Sequence, residues 1–117
     1  MKKIIFGLLL SALFFVNLSA QNEAGKAIFE SKGCTLCHKI DMDTIGPSLT
    51  TIKNAYTGQE SSLVSYLKSQ GTAIVEPARA AVMNPQLVKI KTLFDEDIKA
   101  LAEYIISAAD RPAMKFK

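Results

Sequence analysis

Cys34-Thr35-Leu36-Cys37-His38 is the stretch on which the rest of the chain depends. Two thiols three residues apart share one face of a helical turn, and the imidazole follows directly. This spacing lets both sulfurs reach the two vinyl groups of one porphyrin while His38 is directed at its iron, which is the attachment pattern of c-type haem. Cys34 and Cys37 are the only cysteines and His38 is the only histidine in the 117 residues, so no other set competes for the role. A redox dithiol belongs in a βαβ setting that this sequence does not offer. A structural zinc needs four ligands, and a carboxylate would have to supply the fourth.

Upstream, Met1-Lys2-Lys3 precedes an apolar run from Ile4 to Val16 and then Asn17-Leu18-Ser19-Ala20, the order of a secretory signal peptide. The run is 13 residues long, whereas a membrane-spanning helix needs about 20. We therefore expect residues 1–20 to be removed near Ala20, leaving residues 21–117 as one small domain exported to the periplasm, with no stable membrane insertion. Loss of Lys2 and Lys3 lowers the formal charge from +3 to +1. The remaining cations are dispersed, which argues against a nucleic-acid partner. A core this small commonly needs a staple, and a covalently held haem supplies one.

Asn22 to Lys32 reads as a helix capped by Asn22 and ended by Gly33, with Gly25 and Phe29 on one face. Residues 39–46 read as a loop closing on Gly46-Pro47, and Ser48 to Tyr56 as a helical turn or two. Thr57-Gly58-Gln59-Glu60 has the order of a capping box, predicting a helix to Gln70 with Gly71 at its end and Leu63, Val64 and Leu67 inward. Thr72 to Thr92 reads as irregular, broken by Pro77 and Pro85, with faintly strand-like pieces at Ala73–Val75 and Leu87–Ile90. A final helix is expected over Asp95–Ala108, its acidic start suited to the helix dipole and Ile98, Leu101, Ala102 and Ile105 buried. Arg111-Pro112 marks its exit.

A single histidine leaves the opposite face of the iron without a ligand, and a methionine thioether is the natural partner. Met42 is tethered too closely to His38, and Met114 reaches only if the tail folds back. Met83, followed by Asn84-Pro85 and 45 residues beyond His38, is the strongest candidate. Proline there is expected to stiffen the backbone and keep it from becoming helix.

Taken together, Ala24-Gly25-Lys26-Ala27-Ile28-Phe29, the Cys34–His38 motif, Gly46-Pro47-Ser48-Leu49, Met83-Asn84-Pro85 and Leu101-Ala102-Glu103-Tyr104-Ile105 resemble a bacterial monohaem class I cytochrome c. The resemblance implies an all-α fold, three to five helices wrapped around one covalently bound haem c. It implies thioethers at Cys34 and Cys37, with His38 and Met83 as axial iron ligands. It further implies that Pro47 accepts the other imidazole proton, that Leu49 packs on the haem, and that Gly25 and Phe29 cross Tyr104. The sequence departs from the family at residues 74–82, which lack a tryptophan-containing pattern, and at Phe94, where a Ser or Thr cap is usual. Capping is expected to move to Thr92 or Asp95. Tyr56, Tyr66 and Arg79 are candidates for propionate contact, and Lys32, Lys39 and Lys53 for steering partners to the haem edge.

The expected function is one-electron transfer as a periplasmic, monomeric carrier between redox protein partners, not catalysis. A place as the electron-transfer subunit of a larger oxidoreductase shares that chemistry. A haem enzyme or gas binder would need a displaceable distal ligand, and the sequence has no second histidine to act there.

Overall fold

A computed structural model describes residues 16–110, with side chains from Asn22 onward. The described residues form five α-helices and no strand: α1 (Val16–Ser31), α2 (Leu49–Tyr56), α3 (Glu60–Leu67), α4 (Ala80–Ile90) and α5 (Asp95–Ser107). Short 3-10 turns cover Cys34–Leu36, Pro77–Arg79 and Ala108–Asp110. The expected all-α architecture is therefore the observed one. Residues 1–15, Arg111-Pro112 and Met114 lie outside the described residues.

The frame is the crossing of α1 with α5. Phe29 is buried there, its ring 5.4 Å from that of Tyr104 and tilted by 55°, a favoured aromatic arrangement. Four residues earlier, Gly25 lets the two helices touch: a Cβ there would collide with the Ala100 carbonyl oxygen and lie 2.7 Å from Tyr104 Cβ. On α5, Ile98, Leu101, Ala102 and Ile105 are buried as the helical spacing predicts. Helices α2 and α3 also pack against α5, contributing Leu49, Ile52, Tyr56, Leu63 and Leu67 to the same core. Asp95, Glu96 and Asp97 occupy the first turn of α5, at the positive end of its dipole.

Several local expectations are corrected. Asn22 caps nothing, because α1 continues without a break from Val16 through Ala20 to Ser31. Gly33 does end it, in the left-handed conformation with φ 74°. Thr57 does not open α3. Its hydroxyl donates back to the Lys53 carbonyl at 2.7 Å and so closes α2, leaving Gln59 at the start of α3 without a side-chain cap. Helix α3 stops at Leu67 rather than Gln70. The Ser69 amide donates to the Tyr66 carbonyl and the Gln70 amide to the Ser65 carbonyl, the paired bonds of a Schellman cap with Ser69 as the left-handed residue, φ 61°. Neither Thr92 nor Asp95 caps α5: the Thr92 hydroxyl donates to the Lys89 carbonyl, and Phe94 begins the helix with no side-chain bond.

The largest correction concerns residues 80–90. This stretch is helical, with Pro85 inside it, and Leu87–Ile90 is no strand. Proline lacks the amide that would serve the carbonyl four residues earlier. Here that carbonyl belongs to exposed Ala81, where water can meet it, and Pro85 itself faces solvent. Met83, Leu87 and Ile90 recur at i, i+4 and i+7. Leu87 and Ile90 are buried in the core and Met83 packs against it, so burial of this stripe offsets the cost of the proline.

Candidate haem site

The Cys34–Leu36 turn follows directly from Gly33, whose left-handed backbone reverses the chain out of α1. The amides of Cys37 and His38 both bond the Cys34 carbonyl, at 3.2 and 2.9 Å. This tight turn brings Cys34, Cys37 and His38 to one wall of a cavity of about 430 Å³, within the size range of cofactor sites. Both cysteines are free thiols and half-buried. Burial pushes the Cys34 thiol above its ordinary range, and nearby Cys37 adds to the shift. A buried thiol of that kind is not a reactive thiolate.

The His38 ring is fixed by backbone. Its Nδ1 lies 2.7 Å from the Pro47 carbonyl oxygen. A carbonyl only accepts, so Nδ1 carries the proton and Nε2 is left with a free lone pair, the state a metal-ligating imidazole requires. Gly46 lies flat against the same ring. A Cβ at 46 would sit 2.8 Å from His38 Cε1, 3.0 Å from Nδ1 and 3.2 Å from the Cys37 carbonyl oxygen. The Gly46 amide donates to that Cys37 carbonyl at 2.8 Å, and the Thr44 hydroxyl donates to it at 3.1 Å.

The loop then zips onto the start of α2: the Leu49 amide bonds the Lys39 carbonyl and the Thr50 amide the Ile40 carbonyl. Ser48 caps α2 through the Thr51 amide at 3.1 Å. Asp43 Oδ1 accepts from the Ser48 amide at 2.7 Å and the Thr51 hydroxyl at 3.3 Å. These bonds, the Ser48 amide foremost, hold the Asp43 carboxyl below the usual carboxylate range. Asp43 was not singled out from the sequence. The residues that reveal it were the Ser48-x-x-Thr51 cap and an Asx acceptor five residues before it.

The remaining candidates separate. Met83 lines the same cavity as the motif, as do Pro47, Leu49, Tyr56, Tyr66 and Arg79. Met42 does not; it is 63% exposed. Burial raises the Tyr56 and Tyr66 hydroxyls above the usual phenol range, and nearby Tyr66 adds to the shift at Tyr56. Arg79 spends one guanidinium nitrogen on the Ile45 carbonyl at 2.7 Å and faces Glu76 with the other at 3.4 Å. Of the lysines, Lys39 bonds the Thr35 carbonyl and Lys53 pairs with Asp110, while Lys32 lies at the cavity edge.

The apolar walls, two free thiols at vinyl-reaching spacing and an imidazole with its lone pair free form a donor set that fits haem c. No described helix is long and apolar enough to cross a membrane.

Comparison with known proteins agrees with this chemistry. The chain is 31% identical over 110 residues to cytochrome c-551 of Stutzerimonas stutzeri, covering 92% of this chain and 98% of the relative. It is 30% identical over 105 residues to cytochrome c-551 of Pseudomonas aeruginosa, covering 85% and 93%. A match of 36% over 53 residues to the Azotobacter vinelandii cytochrome c-551 covers 43% and 65%. The cytochrome c family model spans residues 22–109, from within α1 to the last 3-10 turn, and with Cys34 and Cys37 as the attachment points for one haem c the chain belongs to the cytochrome c family.

Proposed function

We propose that the protein is an exported one-electron carrier whose haem iron is held by His38 and Met83, shuttling charge between redox protein partners in the periplasm as a monomer. The observation that carries this reading is the convergence of Cys34, Cys37, His38 and Met83 on one largely apolar cavity. Export is supported by the Lys2-Lys3, apolar, Ala20 order at the start of the chain.

When bound, the haem supplies a reversible one-electron change at iron. The protein's part is to keep that change cheap and to keep other chemistry out. Pro47 holds the proton on His38 Nδ1 and so keeps Nε2 available in both oxidation states. Met83 offers a soft thioether, a ligand that raises the potential relative to a second imidazole. Leu49, Ile52 and Leu63 wall the cavity with hydrocarbon, and a desolvated, closely packed site rearranges little when its charge changes. With both His38 and Met83 on the iron, no position would remain open for oxygen or substrate, as a carrier rather than an enzyme requires.

Visible spectroscopy of the oxidised holoprotein tests the ligand pair. Sulfur ligation gives a weak long-wavelength charge-transfer band. Met83→Ala is expected to abolish it and to lower the potential by on the order of 0.1 V, within the ~0.8 V range that axial ligation spans. Retention of both the band and the potential would show that Met83 is not the ligand. For the carrier reading, the reduced wild type should bind carbon monoxide slowly, and rapid binding counts against it.

A further inference from the structure

One peptide group joins His38 to an acidic side chain. The Pro47 carbonyl accepts the His38 Nδ1 proton at 2.7 Å, and the amide of the same peptide unit, that of Ser48, donates to Asp43 Oδ1 at 2.7 Å. We propose that Asp43 is a positioning residue for the redox centre, acting through the Pro47–Ser48 peptide to strengthen the hydrogen bond on His38 and thereby lower the potential of the iron.

The physical ground is the coupling of bonds at the two ends of one amide. A carboxylate on the N–H draws that proton outward and leaves more electron density on the carbonyl oxygen, which then becomes a better acceptor. A stronger acceptor on Nδ1 makes the imidazole a more basic ligand, which favours the ferric state. Carboxylates do the same to metal-bound histidines when they accept the imidazole proton directly. Here a single peptide stands between them.

The geometry around the relay is built rather than incidental. Pro47 lacks an amide of its own. Ser48 is buried at 3% exposure, so its amide has Asp43 and not bulk water as its partner. Thr51 holds the carboxylate from the side at 3.3 Å and also receives the Ser48 hydroxyl at 3.0 Å. The depressed titration of Asp43, caused chiefly by the Ser48 amide, agrees with a carboxylate charged throughout the neutral range. Because Asp43 is itself exposed, solvent screening keeps the effect modest.

This inference rests on His38 being the iron ligand. The test is potentiometric titration of the holoprotein, paired with proton NMR of the diamagnetic reduced form to follow His38 Nδ1–H. Asp43→Asn keeps an oxygen acceptor in place but removes the charge. It is expected to shift the Fe(II)/Fe(III) ratio at fixed ambient potential about threefold toward Fe(II), ~28 mV at 59 mV per tenfold, and to move the Nδ1 proton upfield. Thr51→Val removes the second donor to Asp43 Oδ1 but keeps the charge and the Ser48 bond, so it should lower the unfolding midpoint and move the potential and the Nδ1 proton less than Asp43→Asn does. Asp41→Asn removes a charge from the same loop with no bond to the peptide. Its shift in potential should be smaller, with the Nδ1 proton unmoved.

An Asp43→Asn protein with wild-type potential overturns the proposal. So does a Thr51→Val or Asp41→Asn protein that matches Asp43→Asn in both readouts, since that outcome assigns the effect to loop packing or to charge through space. The Met83→Ala band test is independent of Asp43, so failure of the axial-ligand reading is distinguished from failure of the relay.

Discussion

The two sides of the cavity are held in different ways. On the motif side, residues 33–51 are fixed by backbone bonds in a short loop. The Cys34 carbonyl serves two amides, the Cys37 carbonyl takes Gly46, and the Lys39 and Ile40 carbonyls take Leu49 and Thr50. Where this side needs a left-handed residue, it has Gly33. On the Met83 side, residues 69–79 are tied across the cavity by a side chain: Arg79 meets the Ile45 carbonyl. The two non-glycine residues with left-handed backbone among those described, Ser69 and Glu76, both lie on this side. A backbone lattice tolerates little change and resists local opening. A side-chain tie can be cut alone, so the Met83 side is expected to open first.

The sharpest way to break that contrast is at Gly46. Gly46→Ala places a methyl 2.8 Å from His38 Cε1 and 3.2 Å from the Cys37 carbonyl oxygen, and neither the ring nor the backbone can retreat without losing its hydrogen bond. Overpacking of this kind costs about 1–3 kcal/mol, or a fall in Tm of roughly 4–20 °C for a domain this size. Thermal melts of the holoprotein measure it, and the yield of covalently attached haem should fall in parallel. A Gly46→Ala protein with wild-type Tm would mean the motif side is more yielding than its bonding implies.

Cutting the side-chain tie is the next largest change. Arg79→Gln removes the charged donor to the Ile45 carbonyl, and because Arg79 is exposed we expect a cost of about 1 kcal/mol rather than the full value of a buried charged bond. That corresponds to a roughly fivefold rise in the opening equilibrium of residues 74–83. Amide exchange of the holoprotein reads it directly: residues 74–83 should exchange faster, while Cys37, His38, Gly46 and Leu49 keep wild-type protection. Equal acceleration on both sides would show that the cavity opens as one unit.

The same contrast explains what could be read in the sequence. The motif side is local: Cys34-x-x-Cys37-His38 and Gly46-Pro47-Ser48-Leu49 lie within a few residues of their partners, so the motifs are recognisable as they stand, and the Pro47 bond to His38 that the family resemblance implied is found at 2.7 Å. A glycine and an aromatic four apart marked Gly25 and Phe29 as a helix-contact face, and the family resemblance implied Tyr104 as the partner found there. The Met83 side depends on tertiary burial. Pro85 signalled a break, yet the Met83, Leu87, Ile90 stripe carried the helical period through it, and packing overrode propensity. Thr57 satisfied a capping-box pattern at the start of α3, but its hydroxyl found the nearer Lys53 carbonyl at the end of α2. Gly71 looked like the helix stop, whereas Ser69 carries the left-handed turn.

Ser69 also offers a small gain on the weaker side. Left-handed backbone costs a side-chain-bearing residue about 1–2 kcal/mol, and glycine returns some of that through its larger entropy in the unfolded chain, about 0.5–1 kcal/mol. Ser69→Gly should therefore stabilise the protein by about 0.5 kcal/mol, visible as a higher denaturant midpoint at unchanged m-value. A lower midpoint would indicate that the serine side chain contributes something beyond the Schellman bonds.

The smallest effect is expected at Asp43, where a carboxylate is tied into the backbone lattice. The folded Asp43 carboxyl is held below its ordinary range by the Ser48 amide, so folding favours the charged form. Its contribution is complete at pH values above the ordinary carboxylate range and disappears as the pH falls through the lowered folded value. Stability should thus decline slightly on acidification below about pH 4, and Asp43→Asn, which cannot titrate, should flatten that part of the profile by lowering the neutral-pH midpoint slightly while leaving the acid end unchanged. Because many backbone bonds hold the same loop, protonating this one acceptor should loosen Ser48 and Thr51 without releasing Gly46 from Cys37. Acid titration followed by amide exchange separates the two cases: protection lost at Ser48 alone marks a lattice that absorbs the change, and protection lost at Gly46 as well would place both sides of the cavity on the same footing.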